Sequence, residues 1–73
     1  MKVFVYEVGA FEYRDNVAFG DAWRQAKAKA TELHCAIYRE VLIDGDVVRR
    51  EVYLAAGAFV GIGYADADSI KVW

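Results

Sequence analysis

The one histidine and the one cysteine of this chain are adjacent, His34 and Cys35. Neighbours on a helix diverge by about 100°. On such a helix the pair cannot converge as nucleophile and base, and no second histidine or cysteine exists to complete a zinc site. A histidine near a helix C-terminus is explained by the helix dipole, and Cys35 by burial or tolerance. Two acidic pairs, Asp44-Gly45-Asp46 and Asp66-Ala67-Asp68, have the oxygen chemistry for a divalent cation. Neither continues into the ladder of ligands ending in glutamate that a calcium loop requires, and aspartate is in any case a turn residue. Gly57, Gly61 and Gly63 invite comparison with a phosphate-binding loop. Their spacing does not match, and no helix start follows to supply the positive N-terminus. They read as strand glycines at a bulge or a close approach.

Arg39, Arg49 and Arg50 interleave with Tyr38 and Tyr53. Sheets that bind single strands stack bases on aromatics and neutralise phosphates with arginine. Glu40 and Glu51 lie among the arginines and cancel much of the potential, so cross-strand ion pairs on a solvated face are the expected account. No set of catalytic, metal-binding or cofactor-binding residues emerges. The chain is expected not to be an enzyme and to need no cofactor.

Those residues must be positioned by a small scaffold. The chain has 73 residues, of which 58% are hydrophobic, with a net charge of -2. That is too apolar and too weakly charged for a disordered chain, and it suits one compact domain over residues 1–73. The acidic balance argues against general affinity for nucleic acid or anionic membrane. A single cysteine rules out an intramolecular disulfide framework and fits a reducing compartment, so a cytoplasmic location is expected. No apolar run approaches the ~20 residues of a spanning helix, and the N-terminus lacks the pattern of a secretion signal.

Lys2 to Val8 is β-branched and aromatic with apolar residues on both faces, and reads as an interior strand. Phe11 to Arg14 is either a short strand or an extended arm. Phe19, Ala22, Trp23, Ala26, Ala30 and Leu33 follow helical spacing and form one apolar stripe, with Phe19, Trp23 and Leu33 as its anchors and Asn16 or Gly20 as the cap. Ala36 to Ile43 and Val47 to Leu54 form a hairpin about Asp44-Gly45. A two-residue turn places Arg39 opposite Arg50, an unfavourable pair. A three-residue loop, Asp44 to Asp46, matches Arg39 with Glu51 and Glu40 with Arg50, and is the expected register. Phe59 to Tyr64 and Ser69 to Trp73 read as further strands. The fold class is α+β: one helix on a mostly antiparallel sheet of four to five strands, in the order strand, helix, three strands and a short C-terminal strand.

Two Trp, five Tyr and four Phe exceed what one helix stripe covers. The other sheet face either tolerates a few exposed aromatics or is a contact surface. Tyr38, Tyr53, Phe59, Gly61, Gly63 and Trp73 are the candidate interaction residues, with Gly61 and Gly63 leaving a channel beside Phe59 for the ring of a second copy. The function expected is a non-enzymatic protein-interaction module that forms a homodimer at micromolar concentration. The alternative is a single-stranded nucleic-acid binder using Tyr38, Arg49, Arg50 and Tyr53.

The strand-helix-strand layout, the helix Phe19-Gly20-Asp21-Ala22-Trp23-Arg24-Gln25-Ala26, the strand Ile37-Tyr38-Arg39-Glu40 and the ending Ile70-Lys71-Val72-Trp73 resemble small orphan proteins encoded by bacteriophages of actinobacteria. The resemblance covers most of the chain and rests on style rather than a motif. It implies expression in a bacterial host cytoplasm and a binding role against a host or phage component, and it carries over no functional residue.

Overall fold

A computed structural model describes residues 1–17, 20–55 and 70–72. The elements are β1 (Lys2–Val8), β2 (Phe11–Asp15), α1 (Asp21–Leu33), β3 (Ile37–Ile43), β4 (Asp46–Leu54) and β5 (Ile70–Val72). They form one helix on a five-stranded sheet of order β2-β1-β3-β4-β5, the α+β class that the pattern predicts. The first four strands are antiparallel neighbours. β5 is parallel to β4, Val52 facing Ile70 and Leu54 facing Val72. The Phe11 segment is thus a strand, and the C-terminal strand joins β4 at the sheet's edge. The expected strand Phe59 to Tyr64 and the acidic pair at Asp66 and Asp68 lie outside the described residues.

Alternation along β1 sends Phe4, Tyr6 and Val8 to the face that carries the helix. There they join Ile37, Val41, Ala26 and Ala30 in the buried core, with Tyr13, Ala22, Trp23, Cys35 and Tyr53 packed against it. The two alanines leave no bulk between helix and sheet, so α1 sits close over β2, β1 and β3. Val5, Tyr38 and Val52 are buried on the opposite face. β1, an interior strand between β2 and β3, is therefore apolar on both sides, as its sequence predicts.

α1 begins at Gly20, which makes no side-chain cap bond. A Cβ at Gly20 would lie 2.0 Å from Asp15 Oδ2; the close approach of that carboxylate is why glycine stands there. The helix ends in a Schellman motif. His34 adopts the left-handed conformation, φ 54° and ψ 45°, and the N–H groups of His34 and Cys35 donate to the carbonyls of Thr31 and Ala30. Leu33, expected to anchor this end, is instead exposed, over the turn at Gly9. Phe19, the expected anchor at the other end, lies outside the described residues.

The β3–β4 hairpin combines features of both registers weighed from the sequence. Asp44 and Gly45 both have positive φ, 53° and 86°, the signature of a two-residue type I′ turn, and Ile43 faces Asp46 directly. The three-residue loop is therefore not formed. Yet Arg39 still faces Glu51 and Glu40 faces Arg50, because the register shifts between Val41 and Leu42. Val48 is the extra residue of a β-bulge, opposed by none on β3. A one-residue slip moves every side chain beyond it to the other face. The bulge thus puts Glu51 and Tyr53 on the helix side and Val52 on the other.

Candidate interaction surface

Glu51 sits two places beyond the bulge partner Arg49, with its side chain 3% exposed. Ionised carboxylates are rarely buried without partners, and Glu51 has several. Arg39 Nη2 donates to Oε2 at 2.8 Å, the Tyr53 hydroxyl donates to the same oxygen at 2.5 Å, and Arg49 Nε pairs with Oε1. Register places Lys71 opposite Tyr53, on the same face. Burial by itself raises the Glu51 pKa. The Tyr53 hydrogen bond and the charges of Arg39, Arg49 and Lys71 outweigh it, and the carboxyl is held below its ordinary value. Tyr53 responds in the opposite direction: burial first, then its bond to Glu51, push the phenol up to about 12.

Arg39 is the other half of this cluster. Its guanidinium lies over the Phe4 ring at 5.0 Å and the Tyr53 ring at 5.2 Å, both within cation–π range, and it opposes the rise that burial gives the Tyr6 phenol pKa. Its Nε is buried with no hydrogen-bond partner. The Trp23 ring, reaching from α1, packs on Tyr6 at 5.3 Å and edge-on to Tyr53 at 4.8 Å. It separates the apolar core under the helix from the charged cluster beside it. The cross-strand pairs that the sequence suggests do form, but Arg39–Glu51 is buried rather than solvated. Arg50–Glu40, on the opposite face, is 3.9 Å apart.

Of the expected surface residues, Tyr38 and Tyr53 are not brought together. Tyr38 is 8% exposed on the face away from the helix, and Tyr53 is half-buried on the helix face. Arg49 and Arg50 also divide between the faces, so the four residues of the nucleic-acid reading do not form one surface. Phe59, Gly61, Gly63 and Trp73 lie outside the described residues.

The exposed apolar residues gather elsewhere. Met1, Ile43, Val47 and Val48 are all exposed at the hairpin end of the sheet, with Val48 56% exposed at the bulge; Val47 faces Leu42, so it lies on the opposite sheet face from Ile43. Lys2 faces Ile43, and the Met1 ammonium pairs with Asp44 at 2.8 Å. Phe11 and Leu33 are exposed at the other end. Between them an open groove lined by Glu7, Gly9, Ala10, Phe11 and Glu12 sets two carboxylates opposite each other with no nucleophile. Sequence patterning missed the hairpin-end residues because Val47 and Val48 read as ordinary strand residues. The signal was there in Val47-Val48-Arg49-Arg50, two apolar then two charged residues, which breaks the alternation of a regular strand.

Among the described residues no three His, Cys, Asp or Glu side chains could hold a metal ion, and no helix is long and apolar enough to cross a membrane. No protein-family model, curated protein or solved structure matches the chain.

Proposed function

We propose that this chain is a small non-enzymatic protein-interaction module whose hairpin end is a contact surface, with a second copy of the chain as partner. The exposure of Met1, Ile43, Val47 and Val48, all at one end of the sheet, carries the reading. Apolar surface gathered in one place, rather than scattered, marks interaction sites. The Met1–Asp44 pair removes two of the charges at its rim, where Lys2, Asp46 and Arg49 bring both signs, and two-fold dimers are the commonest oligomers. Glu51, the most buried carboxylate among the described residues, spends its oxygens on Arg39, Arg49 and Tyr53, which supports a structural rather than catalytic role. The single cysteine and the resemblance to phage-encoded proteins favour action in a bacterial cytoplasm, with a host or phage component as any further partner.

Light scattering after size exclusion tests the reading. The expected mass at micromolar loading is twice the 8.2 kDa of one chain. Val48→Lys should return it to one chain with the thermal transition retained. A single-chain mass for the unmodified protein at high loading would remove the dimer.

A further inference from the structure

A second surface, independent of the hairpin end, follows from where the helix stops. α1 packs on β2, β1 and β3 and reaches β4 through Trp23; among the described residues no other element lies over β4 and β5 on that face. The helix edge and the open strands form a shelf: Arg49, Tyr53 and Lys71 make the floor, and Trp23 with Lys27 the wall. Lys27 Nζ stands 5.6 Å from the Trp23 ring centroid. Glu51 is already neutralised by the buried Arg39. Arg49, with its side chain 60% exposed, also pairs with Glu51, so one carboxylate stands against Arg39, Arg49, Lys71 and Lys27 and the shelf is locally positive in a chain whose total is -2. Neither lysine has an ion-pair partner among the described residues, although both are half-buried. Ammonium groups held part-way out of water without a counter-ion are a standing invitation to an anion.

We propose that this shelf receives an acidic segment of a protein partner, its carboxylates meeting Arg49, Lys71 and Lys27. Charge complementarity identifies the occupant, and the rings decide between acidic protein and nucleic acid. Single-strand binding draws on aromatic faces open for base stacking. Here Trp23 is packed by Tyr6 and Tyr53 and overlaid by Lys27, while Tyr53 is overlaid by Arg39 and tied through its hydroxyl to Glu51. The shelf offers charge without a stacking platform.

The test titrates the protein with a fluorescein-labelled oligoglutamate peptide at low salt, with oligothymidylate and oligolysine in parallel. Oligoglutamate should bind, weaken as salt rises, and shift the amide resonances of Arg49 and Lys71 and the Trp23 indole resonance. Each exposed ion pair is worth a factor of about three, so Arg49→Gln/Lys71→Gln should weaken binding roughly tenfold. Arg14→Gln, on the far edge strand, should leave it unchanged. Should the double variant lose its thermal transition, Lys27→Gln on the helix and the resonance shifts of the unmodified protein decide. No binding of oligoglutamate at low salt, shifts confined to other residues, or tighter binding of oligothymidylate would each overturn the proposal. The Val48→Lys variant should still bind oligoglutamate, so failure of the shelf and failure of the dimer are separable.

Discussion

Ile37 and Arg39 stand two residues apart on β3 and point to the same face, yet they live in different environments. Ile37 is fully buried among Val8, Ala26 and Ala30, where the alanines let the helix close on the sheet. Arg39 lies just past the helix edge, and its cover is assembled from the sheet itself: Phe4 and Tyr53 rings on its guanidinium, Glu51 beside it. Apolar burial under the helix is non-directional and tolerates small shifts. The charged half tolerates none, because an arginine and a carboxylate out of water need their partners in place. One face of a small sheet thus holds a core built by area and a core built by pairing, with Trp23 as the wall between them.

The largest effect should come from breaking the pairing. Glu51→Ala leaves Arg39 buried without a counter-charge and should cost about 3–5 kcal/mol, comparable with the whole stability of a domain this size. Replacing both partners, Arg39→Met/Glu51→Leu, should recover most of that loss, since a buried pair is often no better than apolar packing. Urea unfolding would measure both. Acid should act on the same half. The Glu51 pKa is lowered in the fold, so its contribution is complete above the unfolded value, 4.5, and is lost as pH falls through the folded value. Glu51→Gln should remove that part of the acid slope. A Glu51→Ala variant within about 1 kcal/mol of the parent, the net worth of an ordinary hydrogen bond, would mean that the cluster is hydrated and the two halves are alike.

Removing the wall comes next. Trp23→Ala should cost about 3 kcal/mol, the low end for a large aromatic because its ring is only partly buried. It should also disturb the charged half without touching a charge. With Trp23 gone, Tyr53 loses part of the burial that raises its phenol, and its titration, followed by ultraviolet absorbance, should move from about 12 back toward 10. A large stability loss with an unmoved Tyr53 titration would show that Trp23 serves the apolar half alone.

The apolar half was legible in the sequence and the charged half was not. Helical spacing from Ala22 to Ala30, with Asp21, Arg24, Gln25, Ala28 and Glu32 on the exposed side, needs only local periodicity. The hairpin tip was equally local, since Asp44-Gly45 favours the positive φ angles of its turn. The bulge at Val48 leaves only a broken alternation in Val47-Val48-Arg49-Arg50, and what it satisfies is non-local: the match of Arg39 to Glu51 across the strands. Hence the ion pair was expected from a longer loop, and expected in solvent. One clue to its burial did exist. Arg39 alternates with Ile37 and Val41, and an arginine between two core positions needs a buried partner. The parallel pairing of β5 depends on contacts distant in sequence, which local patterns do not encode.

The smallest expected effect comes from the end of the helix and should leave the charged half untouched. His34 holds a left-handed conformation that costs a non-glycine residue about 1–2 kcal/mol, tolerated because its N–H and that of Cys35 satisfy the carbonyls of Thr31 and Ala30. His34→Gly keeps both bonds and relieves the strain. The greater freedom of glycine in the unfolded chain takes back part of the gain, leaving a net stabilisation of about 0.5–1 kcal/mol. Urea midpoints would show it as an upward shift with unchanged slope. The acid slope due to Glu51 should be the same in parent and variant, because the Schellman turn lies at the opposite end of the helix from Trp23. A destabilised His34→Gly would mean that the imidazole makes a contact worth more than the backbone strain. A changed acid slope would mean that the helix end and the charged cluster are coupled, and that the two halves of this face are one.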